Sequence, residues 1–188
     1  MTMEISTSNG APAKHGAAPI AAEQLLRMRT RELEPLFARG TIARVDELGV
    51  NPRGYVLALP VFGLERGFML DATRLVTASP LFAWEGKSFY AQKASEGRGE
   101  NRLRLPLRIG LFAYKTAIAR SVVDGAPCLS IDYDVPENPF FARGIYDEVR
   151  AIGGGMYLGR GMRRRKNAAP QLLLWFALDA TKQDAGIR

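Results

Sequence analysis

NRLRLPLRIG, residues Asn101 to Gly110, alternates with a period of two. Leu103, Leu105, Leu107 and Ile109 fall on one face, and Arg102, Arg104, Pro106 and Arg108 on the other. Successive side chains of an extended chain point to opposite sides, so the pattern predicts a strand with one buried face. Similar stretches surround it. Upstream lie GYVLALPVF (54–62) and WEGKSFYAQ (84–92); downstream lie LFAYKTAIARSVV (111–123), APCLSIDYDV (126–135), EVRAI (148–152), GMYLGRGM (155–162) and QLLLWFALDA (171–180). Turn chemistry separates them: the polar ASEGRGEN (94–101), Asp124-Gly125, the prolines at 136 and 139, Gly153 to Gly155, and RRRKNAAP (163–170). ENPFFARGIYDE (137–148) carries a short turn or helix.

About eight strands result, with no helix between successive pairs as parallel βαβ units require. The fold class expected is mainly β: an antiparallel up-and-down barrel, with a two-sheet sandwich as the other way to pack so many strands. An N-terminal helical segment precedes it. In AAEQLLRMRTRELEPLFARG (21–40), Leu25, Met28, Leu33, Leu36 and Phe37 recur at helical spacing, and Pro35 is expected to interrupt them. GFMLDATRLVTA (67–78) reads as a short helix after the first strand. The boundaries expected are a disordered tail over 1–20, a single barrel domain over 21–182 and a C-terminal tail over 183–188.

Composition narrows the chemistry. The chain has 188 residues, a formal net charge of +7, one His and one Cys. Zinc sites need three or four His or Cys ligands, so none is expected. A nucleophile–His pair would have to use His15, which sits among the small residues, Pro and Gly of the leader. No apolar run reaches the length of a membrane span, and no signal segment is visible, so a cytoplasmic location is expected. No cofactor and no metal are expected. The acids of the DYDVPENP loop (Asp132, Asp134, Glu137) do not have the spacing of an EF-hand.

An eight-stranded barrel can hold one small ligand in its interior, so the lumen is the first place to look for a site. CLSIDYD (128–134) offers two faces: Leu129, Ile131 and Tyr133, or Cys128, Ser130, Asp132 and Asp134. If the polar face lines the lumen, Asp132 is a carboxylate available for general acid–base work. If the apolar face does, Tyr133 becomes the proton donor, and the aspartates pair with Arg on neighbouring strands. Tyr157 and Arg160 complete the candidate catalytic set. Trp84, Phe89, Tyr114, Ile131 and Trp175 are the candidate ligand-binding residues. Glycines at 159 and 161 would let a bulky aromatic or a ligand approach the backbone. Arg160 and the run from Arg163 to Lys166 leave nucleic acid or an acidic partner as the weaker alternative, since no stacking aromatics stand beside them.

Trp84-Glu85-Gly86-Lys87-x-Phe89, then Ile131-Asp132-Tyr133-Asp134-x-Pro136-Glu137-Asn138-Pro139, Tyr157-Leu158-Gly159 and Trp175-Phe176-Ala177-Leu178, resemble bacterial proteins of unassigned function and, with them, the lipocalin-like (calycin-type) barrels. The resemblance spans about Arg53 to Ala180. It implies the barrel fold and carries over no catalytic residue. The order here is Trp-x-Gly where the small GxWxG-type domains have Gly-x-Trp. The function expected is binding of a small, largely apolar molecule in the lumen, with cofactor-free isomerase, cyclase or hydro-lyase chemistry set against a carrier without chemistry.

Overall fold

The structure, a computed structural model, describes residues 20–60, 84–104 and 108–184. The expected helix at 67–78 lies outside them, as does nearly all of the expected N-terminal tail. Strand β1 is Thr41–Ile42, β2 Pro52–Ala58, β3 Trp84–Lys93, β4 Glu96–Arg104, β5 Arg108–Arg120, β6 Pro127–Asp132, β7 Ile145–Gly153, β8 Met156–Arg163 and β9 Gln171–Gln183. The helices are α1 (Ala22–Leu25), α2 (Thr30–Ala38), α3 (Val45–Leu48) and α4 (Phe140–Arg143). Each strand from β2 to β8 pairs antiparallel with the next, and β9 pairs back with β2. The result is a closed eight-stranded up-and-down barrel, to which β1 adds a short ninth strand beside β7.

Several boundaries differ from the pattern read in the sequence: β7 already begins at Ile145, β5 ends at Arg120, and two more differ between residues 94 and 110. Residues 94–101 are not one polar turn, because β4 already begins at Glu96. Residues 101–110 are not one strand, because Arg104 on β4 pairs with Arg108 on the antiparallel β5. The cause of the difference at 94–101 is steric. Gly99 looks like a turn residue, but a Cβ there would stand 2.0 Å from the Ser88 carbonyl oxygen and 2.6 Å from the Tyr114 ring, so the glycine makes room for the backbone of one neighbouring strand and an aromatic of the other. The misreading at 101–110 passed over Pro106, which has no N–H for a ladder.

The alternation separates two apolar layers. On β9, Leu174, Phe176, Leu178 and Ala180 face the lumen, while Trp175 and Ala177 face outward. The outward layer is covered by α1 and α2, whose Leu25, Leu33 and Phe37 pack on Trp175, Leu158 and Leu57. Phe37 meets Trp175 edge-on at 5.8 Å. Helix α2 runs through Pro35, and the break falls earlier, before Arg29, whose N–H donates to Glu32 Oε2 at 2.8 Å. This backward bond from the third residue of the helix fixes its start. Helix α3 packs Val45 and Leu48 against lumen residues and contacts β3 and β9. No helix among the described residues is long and apolar enough to cross a membrane.

Candidate functional site

A cavity of about 300 Å³ lies in the barrel beside α4. Its walls are apolar: Val56, Leu103, Phe112, Ile145, Leu174 and Phe176, with Phe141 of α4. Among the described residues, the polar side chains of Lys87, Asn101, Tyr133 and Asp147 reach it, with Trp84 beside them. Lys87 is 2% exposed and Asp147 4%.

Lys87, Asn101, Tyr133 and Asp147 form one network. Lys87 Nζ lies 2.8 Å from Asp147 Oδ2 and 2.9 Å from Asn101 Oδ1, and it also donates to the Tyr133 hydroxyl. Tyr133 donates in turn to Asp147 Oδ2 at 2.9 Å and accepts from Asn101 Nδ2 at 3.2 Å. Trp84 Nε1 donates to Asn101 Oδ1 at 3.1 Å. The rings of Tyr114, Tyr133 and Phe176 stand 5.1 to 5.3 Å from the ammonium, and that of Trp84 at 6.0 Å. A desolvated cation is attracted by such faces.

Strand register delivers each group. Lys87 shares the inner face of β3 with Phe89, two residues on. Asp147 lies between Ile145 and Val149 on the inner face of β7. Asn101 sits where β5 carries an extra residue: Glu100 pairs with Ala113 but Asn101 with Leu111, leaving Phe112 unpaired. Phe112 has φ +56, a left-handed conformation that few residues other than Gly adopt. A bulge of this kind re-aims a side chain. Here it places Phe112 in the cavity wall, 6.1 Å from Phe141. Tyr133 follows the last residue of β6 and is held by Asn138, whose Nδ2 donates to the carbonyls of Tyr133 (2.7 Å) and Ala113 (2.6 Å).

Burial sets the proton affinities. It pushes the Lys87 ammonium below its ordinary value, and the neighbouring Asp147 opposes that. Burial, with Asp147 second, holds the Tyr133 phenol well above its ordinary range. Tyr114, beside it, is raised in the same way and donates to the Ser88 carbonyl at 2.8 Å. The network therefore joins a lysine with a weakened hold on its third proton, a carboxylate and a protonated phenol. Among the described residues, no cluster of His, Cys, Asp and Glu could hold a metal ion.

The sequence candidates divide. Tyr133 and Trp84 line the cavity. Phe89, Tyr114, Ile131 and Tyr157 face the lumen but pack in its core. Burial pushes the Tyr157 hydroxyl up to about 12. The apolar face of CLSIDYD lines the lumen, so Asp132 is outside, 42% exposed and paired with Arg164 at 3.0 Å. Arg160 is also outside the lumen: buried beneath α2, it pairs with Glu148 at 2.7 Å and donates to Ser121 Oγ at 2.8 Å. Trp175 faces outward against Phe37. Lys87, Asn101 and Asp147 were not among the candidates. Their signal was present: Lys87 and Asp147 are charges in phase with apolar residues of their own strands.

No family model matches the chain, and no curated protein matches it. Among solved structures, a protein from Thermomonospora curvata is similar at 20% identity, with a TM-score of 0.50, over 81% of this chain and 88% of that one. At that identity the likeness concerns the fold alone.

Proposed function

We propose that the barrel binds a small, largely apolar molecule in its lumen, and that Lys87, Asp147 and Tyr133 move a proton on it without a cofactor. An isomerase, cyclase or hydro-lyase reaction is the class this suits. The observation that carries the reading is a titratable, hydrogen-bonded ion pair, with Asn101 and Tyr133, at the wall of a cavity whose other described lining is mostly apolar. Small-molecule sites commonly combine apolar walls with a few convergent polar groups. Perturbed lysines and phenols at such a wall suit acid–base chemistry. A lipocalin-like kinship accords with the up-and-down connectivity, and a site in the lumen would fit it.

One observation favours the carrier reading. All three ammonium hydrogens of Lys87 already have acceptors, so the network is complete without a ligand. The test is native mass spectrometry of the purified protein, followed by incubation of any released ligand with fresh protein. The proposal expects a bound small molecule and its slow conversion, lost in Asp147→Asn. A ligand returned unchanged supports the carrier, and a lumen that never holds a ligand overturns both.

A further inference from the structure

Among the described residues, the charged ones at the cavity are Lys87 and Asp147, and they neutralise each other at 2.8 Å. The described lining thus offers no net charge to a ligand carboxylate or ammonium, which favours a ligand whose polar group is neutral. Among the described cavity-lining residues there is no Cys, Ser or His, and Lys87 Nζ is the strongest nucleophile. A proton acceptor, Asp147 Oδ2, touches that nitrogen, and the Tyr133 hydroxyl adjoins both.

We infer that the lumen takes a small, largely apolar aldehyde or ketone, and that Lys87 Nζ joins its carbonyl carbon as an imine. The inference rests on the lumen-site reading above. The step balances within the network. Lys87 passes one proton to Asp147, and the freed lone pair forms the N–C bond as the carbonyl π bond opens to a carbinolamine. One nitrogen proton passes to the oxygen to complete the carbinolamine, and the hydroxyl then leaves as water with the proton that Asp147 held. Ammonium plus carbonyl thus gives protonated imine plus water, with the charge unchanged and Asp147 left as counter-ion. Burial assists by lowering the lysine's hold on its proton, so more free amine is present near neutral pH. The ring faces around Nζ suit the protonated imine as they suit the ammonium.

The test is borohydride trapping of the whole chain at neutral pH with octanal and with cinnamaldehyde, followed by intact mass and peptide mapping. The expected result is a single adduct, heavier by the aldehyde less one oxygen, on the peptide carrying Lys87. It should form faster than adducts on exposed Lys93, Lys115 and Lys182, and remain the dominant product at low aldehyde excess. Mapping the unmodified sequence keeps the result independent of whether a Lys87→Met variant folds. Octanol and cinnamyl alcohol, measured by calorimetry, form the second arm. Alcohols that bind while Lys87 stays unlabelled overturn the imine and leave the lumen reading intact. Alcohols and aldehydes that both fail to bind overturn both.

Discussion

Asp147 and Glu148 are consecutive residues of β7, and each is buried in an ion pair. They face opposite ways. Asp147 points into the lumen at Lys87, and Glu148 points outward at Arg160 beneath α2. The two contacts are nearly equal in length, 2.8 and 2.7 Å, and no partner side chain is more than 5% exposed. Their surroundings differ. Arg160 is locked by Glu148, Ser121 and the Phe37 ring 4.3 Å away, while Glu148 Oε1 also accepts the Val122 N–H at 2.8 Å. Guanidinium cannot be deprotonated in a protein, and this pair does not line the cavity. Lys87 can lose its proton, and it borders a void large enough for a ligand. Burial of a charge pair alone therefore does not mark a site. The mark is burial together with a group able to change protonation and space beside it.

The sharpest way to break this contrast is to remove each carboxylate. Glu148→Gln and Asp147→Asn each leave a buried cation unpaired, a loss of about 3–5 kcal/mol. The pH dependence separates them. Lys87 in the folded chain already binds its proton more weakly than in the unfolded chain, whose value is 10.5. Between the two values the unfolded state carries more protons, so stability rises with pH. The Asp147→Asn loss should be smaller at a pH just below 10.5 than at neutral pH, and the Glu148→Gln loss should be the same at both. Urea unfolding at both pH values measures this, and equal slopes would erase the distinction.

Next in size is the packed part of the lumen set against its open part. A Cβ at Gly159 would stand 2.2 Å from the Phe176 ring, so Gly159→Ala should cost about 1–3 kcal/mol by overpacking. Leu103→Phe, beside the void, should cost less than about 1.5 kcal/mol and abolish binding of octanol. A tolerated Gly159→Ala with a costly Leu103→Phe would reverse the assignment of full and empty space.

Hydrogen bonds give the third comparison. Tyr133→Phe and Ser121→Ala each leave a buried pair short of one partner, at about 1–3 kcal/mol each in thermal unfolding. Only Tyr133→Phe should also alter octanol affinity, measured by calorimetry. The smallest effect is expected at Asp132. Asp132→Asn removes a half-exposed pair with Arg164 and should change stability by less than about 1 kcal/mol, leaving octanol affinity unchanged. Loss of binding in that variant would bring the outer face into the site.

Much of the barrel was legible in the sequence, because antiparallel strands carry their own period. The strand count and the meander follow from it. The boundaries at residues 94–110 did not, since a glycine serving a neighbour's ring reads like a turn glycine. Gly99 under Tyr114 shows this, and Gly159 under Phe176 repeats it on β8. Of the cavity lining, Tyr133 was found because it stands on an apolar face, and Trp84 because it is a large aromatic. Asp132 and Arg160 drew attention as charges on strands, yet both stand on outward faces. Lys87 and Asp147 were missed although each shares its face with core residues. A charge in phase with the apolar face of its strand was the informative pattern. The bulge that directs Asn101 and Phe112 was invisible, because LFAYKTAI reads as a regular strand.

The central claim is that Lys87 is the titratable group of a ligand site. The most direct measurement is an NMR titration of the lysine side-chain amines, with and without octanol. The account predicts one lysine, absent from Lys87→Arg, that titrates below the exposed lysines and moves when octanol is added. A Lys87 that titrates with the surface lysines and does not respond to ligand would contradict it.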